Sequence, residues 1–166
     1  MQNRLWQCVA MSRDSRRFDE MLACLAVAPS AKEALSQAVE GWTKDYPQLT
    51  SNLAGDAHEV DLTDFFAMVA AAVVTGRPIR CCVPVAMHRD GQAPMMVTSM
   101  LGDMTDADCL AELRPRYDAD EWHLEIVHSS VLSADDVGDI VAALLQQQPA
   151  TGAEPLPEKG VLSNLC

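Results

Sequence analysis

Most of the side chains able to do chemistry fall between His88 and His128. Three of the four histidines lie there (His88, His123 and His128), with Cys109 and the acids Asp103, Asp106, Asp108, Asp118, Asp120 and Glu121. Such a set could hold a metal, run acid–base or thiol chemistry, or present negative charge to a partner.

Metal binding is poorly supported. His123 and His128 are five apart in a segment that reads as a strand, which puts them on opposite faces. No C-x-x-C or other close ligand pair occurs, and "DMTDAD" lacks the ligand spacing and fixed glycine of a calcium loop. Nor is there a G-x-G-x-x-G or a Walker lysine to cradle a nucleotide. The sequence therefore predicts neither metal nor cofactor.

Thiol chemistry needs a thiolate beside a base. Cys109 falls in the first turn of a helix, and His88 or His123 could serve as the base, which would make a small cysteine-dependent enzyme. The competing reading is a half-buried cysteine facing a sheet beside Leu110, and it is preferred. Carboxylate catalysis needs a buried acid, whereas Asp106, Asp108, Asp135 and Asp136 already suit the positive ends of helices.

Charge leaves the third possibility in front. The chain of 166 residues carries 24 acidic and 12 Lys or Arg side chains, net −12. The imbalance lies late: residues 90–166 hold fourteen acids against three bases, whereas residues 1–32 hold three against five. Such a field repels nucleic acid and anionic membranes and attracts a basic protein surface. The expected function is a small acidic interaction module of the inhibitor, immunity or chaperone type. One version mimics nucleic-acid phosphates. Asp103, Asp106, Asp108, Asp118, Asp120 and Glu121 are the expected contacts. Besides the cysteine-dependent enzyme, the alternative is a structural subunit docking through its tail, Val161–Cys166.

These groups need a scaffold. Hydrophobic residues make up 49% of the chain and charged ones 22%, as in an ordinary globular domain. The longest apolar run, Phe65–Val74, is far short of the roughly 20 residues of a membrane span. No secretory signal is visible, so the six cysteines read as free thiols in a cytoplasmic protein.

The patterning predicts strands at 4–12 and 18–28, and a helix opened by Ser30 and Glu33 and stopped by Pro47. A polar connection is expected at 48–60. Next comes a helix from Asp61 to Gly76, apolar nearly all round and so expected deep in the core. Asp90-Gly91 predicts a hairpin joining strands near 79–88 and 93–101. Pro84 and Pro94 each need an edge or a bulge, which suggests a hairpin partly at a sheet edge. A short helix capped by Thr105 and Asp108, a strand over 122–132, and a helix capped by Ser133 and Asp136 complete the domain. The fold class is a single α+β domain over 1–148, order ββααββαβα. A mainly antiparallel or mixed sheet of about five strands carries about four helices, and a proline-containing tail follows at 149–166. No internal repeat is visible in the residues.

Overall fold

The computed structural model describes residues 2–12, 21–45, 53–91, 95–96 and 98–146. The tail at 149–166, the arginines of the first turn and Pro94 lie outside the described residues. The chain is α+β. Its elements are β1 (Arg4–Ser12), β2 (Met21–Ala28), α1 (Ala31–Asp45), β3 (Leu53–Glu59), α2 (Leu62–Thr75), β4 (Ile79–His88), β5 (Met95–Met96), β6 (Met100–Gly102), α3 (Asp106–Leu113), β7 (Trp122–Leu132) and α4 (Ala134–Leu145). A 3₁₀ turn at Arg114–Arg116 follows α3. No helix among the described residues is long and apolar enough to cross a membrane.

Two antiparallel sheets replace the single sheet expected. In the first, β1 is flanked by β2 and β3. In the second, β4 pairs with β7 along one edge and with β5 and then β6 along the other. Alternation along each central strand divides its side chains between two faces. Val9, Met21 and Ala23 of the first sheet meet Cys81, Val83 and Val85 of the second in a core between the sheets. The opposite faces are roofed by helices. Cys8, Ala10 and Ala28 lie under Ala34, Ala38 and Trp42 of α1. Cys82 lies under Cys109 and Leu113 of α3, with Leu124 and Ile126 alongside. The result is a stack of helix, sheet, sheet and helix.

The element order repeats. β1–β2–α1–β3–α2 and β4–β5/β6–α3–β7–α4 have the same plan, with a central strand first and a roofing helix between its two neighbours. The closing helices cross over: α2 touches β4, and α4 touches β1, β2 and β7. The duplication is topological and leaves no matching residues.

Three expectations need correction. The segment at 48–60 is not merely a connection, because Leu53–Glu59 forms edge strand β3 on β1. Its Gly55 is a packing residue: a Cβ there would stand 2.7 Å from Leu35 Cδ1 of α1 and 2.9 Å from the Val9 carbonyl. The strand expected over 93–101 is instead two short pieces, Met95–Met96 and Met100–Gly102, whereas Pro84, which needed an edge or a bulge, has the bulge, between Val83 and Pro84, and is fully buried in the central strand. Finally, α2 buries only Phe65 and Ala72 and leaves Phe66, Val73 and Val74 exposed. The second sheet already has its roof in α3, so α2 lies against it by a narrow edge.

Local signals were otherwise accurate. Asp61 caps α2 by accepting from the Thr63 and Asp64 amides, and Gly76 closes it at φ 69°. Complete capping boxes open α3 (Thr105 with Asp108) and α4 (Ser133 with Asp136). At α1, Ser30 Oγ accepts from the Glu33 amide at 3.3 Å. The Asp90-Gly91 turn has Gly91 at φ 83° and its amide donating to the His88 carbonyl at 3.2 Å.

Candidate functional site

The six predicted contact acids fall into two groups. Asp103, Asp106 and Asp108 surround the start of α3, whereas Asp118, Asp120 and Glu121 lie in the turn before β7. Five helical residues beyond Asp108, about 7.5 Å of rise, and the basic turn Arg114–Arg116 come between them along the chain.

Several of these acids are committed internally. Asp106 Oδ1 accepts from Ser129 Oγ at 2.7 Å and stands 3.6 Å from Arg80 Nη1. Asp108 accepts from the Thr105 amide and hydroxyl and pairs with Arg77. Those Thr105 hydrogen bonds hold its carboxyl below the usual range, with the Arg77 guanidinium adding to the effect. Asp118 Oδ1 accepts from the Asp120 amide at 2.9 Å, which shapes the turn. Arg89 braces the same turn from its Nε to the Ala119 carbonyl at 3.0 Å. Asp120 and Glu121 are exposed, and Asp103 is half-buried. Negative charge is abundant here, but the six side chains do not form one row.

The thiol–histidine arrangement is not assembled. Cys109 is fully buried, and burial pushes its thiol up to about 12. Among the described residues no hydrogen bond joins it to a histidine. His88 stacks edge-on against Trp122, at 4.8 Å between ring centres, and pairs with Asp90. His123 is exposed on β7. The five described cysteines are free. Cys81 is pushed up to about 11 by burial, which leaves it a poor nucleophile. Among the described residues no three His, Cys, Asp or Glu side chains converge as a metal-holding set.

What the sequence reading passed over is apolar. At 3.6 residues per turn, Phe66, Ala67, Ala70, Val73 and Val74 fall within an arc of about 120° on α2. All five are exposed; Phe66 is 43% accessible, Val73 79% and Val74 86%. Beside this strip, a groove of about 400 Å³ runs between α2 and α4. Val69, Ala72 and Val73 form one wall, Ala134 and Val137 the other, and Ile79 and Leu132 the floor. Asp135 and Asp136 stand at the adjoining start of α4, and Asp61 and Asp64 at the far end of α2. Arg77, the cation lining the groove, is paired with Asp108.

Comparison with protein-family models, with curated proteins and with solved structures finds no match for this chain.

Proposed function

We propose that the protein is an interaction module that receives a basic, amphipathic segment of a partner protein along α2 and the groove between α2 and α4. The observation behind this reading is the apolar strip of α2, with Val73 and Val74 almost fully accessible. A contiguous apolar face of this kind marks an interaction surface rather than scattered surface residues. An amphipathic helix lays its apolar stripe into such a groove by anchors one turn apart.

Charge complementarity indicates a basic occupant. Acids flank both ends of the apolar strip, the groove's arginine is already neutralised, and the whole chain carries −12. Lysines rimming a bound segment would meet carboxylates, which speeds encounter and makes binding sensitive to salt. The expected partner, a protein with a basic surface, is retained. The contact surface moves from the acids around α3 to the apolar strip, with the acids beside it as a rim. Of the acids in the phosphate-mimic version, Asp106 and Asp108 stand beside Arg80 and Arg77, so this reading gives the strip precedence over it.

The test uses a synthetic amphipathic peptide with leucines at helical spacing and lysines elsewhere, against a scrambled peptide of equal composition. The full chain should bind the amphipathic peptide more tightly by fluorescence anisotropy, and less tightly as salt rises. The pair Val73→Ser and Val74→Ser leaves the charge unchanged. It should weaken binding by about tenfold or more, since each buried valine contributes roughly 1.5–3 kcal/mol. Equal binding of both peptides, or of wild type and variant, would show that the strip is not the docking surface.

A further inference from the structure

Three sulfur atoms converge beneath α3. The Cys109 thiol lies 3.4 Å from Cys82 Sγ and 3.2 Å from Met100 Sδ. Strand register brings two of them together, because Cys82 on β4 is directly opposite Met100 on β6. Cys109, in the first turn of α3, closes the triangle from above. Both cysteines are fully buried, while Met100 and the neighbouring Met104 are half-buried. Gly102 helps to seat Met104, since a Cβ there would run into the Met104 methyl.

A second observation comes from Arg80. It precedes Cys82 by two residues and so shares its face of β4. Its Nε is buried and has no hydrogen-bond partner among the described residues, although Nη1 donates to Ser129 Oγ at 3.1 Å. A buried donor left unpaired is costly and requires an explanation. A negative charge forming at Cys82 would supply one.

We infer that Cys82, Cys109 and Met100 form a binding site for one soft monovalent metal ion, of which Cu(I) is the biological representative. Two thiolates and a thioether, with no nitrogen or oxygen donor among them, are the ligand set that selects Cu(I). Zinc would call for a fourth ligand. Binding is a proton exchange with no redox step: the ion forms two metal–thiolate bonds, and Cys82 and Cys109 release one proton each. The site then carries one net negative charge, close to an Arg80 guanidinium that also stands 3.6 Å from Asp106. A trigonal centre with metal–sulfur bonds of about 2.3 Å spaces its sulfurs about 4 Å apart. The two measured contacts must therefore open by less than about 1 Å. Met104 and Met100 offer a thioether route from the surface inward. The site is separate from the α2 groove and does not depend on how that groove is used.

The experiment titrates the reduced full chain with Cu(I), without oxygen, against a chromogenic Cu(I) chelator. The wild type should retain one equivalent. Cys82→Ser should abolish retention. Met100→Leu conserves volume and spares the fold, and should weaken binding by about tenfold or more. The pair Cys8→Ser and Cys24→Ser should retain the metal as the wild type does. Failure of the wild type to compete would overturn the assignment. So would undiminished binding by Cys82→Ser or Met100→Leu, loss of copper only in the Cys8 and Cys24 variant, or stoichiometric Zn(II) uptake in preference to Cu(I).

Discussion

His128 shows how a single residue couples the two sheets. It sits half-buried on β7, and its Nε2 lies 3.2 Å from the Ala23 carbonyl on β2. The neutral ring with its hydrogen on Nε2 makes that bond. Burial lowers the pKa of the imidazole below 6.5, and the Ala23 carbonyl opposes the shift only in part. The sign follows directly. Below 6.5 the unfolded chain takes up a proton that the folded chain resists, so stability is full above that value. It is lost as pH falls through the lowered folded value. The carboxylates with lowered values, Asp61, Asp108 and Asp136, act in a separate window: their contribution is full above 3.8 and is lost below it. His128→Gln keeps a donor and cannot titrate. Urea midpoints measured from about pH 7 to about pH 5 should fall for the wild type and stay flatter for His128→Gln. Parallel profiles would remove His128 as the cause. Little of this was legible beforehand. The sequence shows that His123 and His128 face opposite ways, but not that His128 finds a carbonyl across a second sheet. The sulfur triangle has the same limit: Cys109 in a first helical turn was readable, whereas Cys82 opposite Met100 is a matter of register.

At the scale of elements, helix boundaries were legible because they are set by local chemistry. Thr105, Ser133, Asp61 and Gly76 perform the capping duties their types suggest. Replacing Ser133 by Ala removes an acceptor from the first turn of α4 and should cost about 1 kcal/mol in chemical denaturation. The environment of an element was much less readable. Leu53–Glu59 has the composition of a loop and becomes a strand because β1 offers it an open edge, and because Gly55 leaves room for Leu35. α2 has the composition of a core helix and is mostly uncovered. A pattern apolar on all sides says that a helix needs cover, not whether the same chain supplies it. That difference is measurable. Val73→Lys and Val74→Lys should each change stability by no more than about 0.5 kcal/mol, as for exposed positions. Phe65→Ala, on the buried side of the same helix, should cost about 3–5 kcal/mol. A large loss for either lysine variant would mean that the strip is covered within the chain and is not free for a partner.

For the whole molecule, the repeated ββαβα plan raises the question of whether each half is a domain. The packing says that it is not. Among the described residues, the face carrying Val9, Met21 and Ala23 packs on Cys81, Val83 and Val85 of the other half, with Leu101, Val127 and Leu132 alongside. The closing helices are exchanged too, with α2 resting on β4 and α4 reaching β1 and β2. A half alone would be a three-stranded sheet with one face roofed and the other bare, its last helix deprived of the strands of the other half: β4 for α2, β1 and β2 for α4. Such a unit loses much of the apolar burial that offsets chain entropy. Fragments 1–76 and 77–166, divided after Gly76 where the chain leaves α2, should each lack a cooperative thermal transition and dispersed amide resonances. Expressed together, they should recover both as a one-to-one complex, because the inter-sheet core and the crossed helices are interactions between halves rather than within them. A cooperative transition in either fragment alone would show that the sandwich is two domains in contact. The exposed strip of α2 would then have to be explained from within the first half, where neither β4 nor α4 is present.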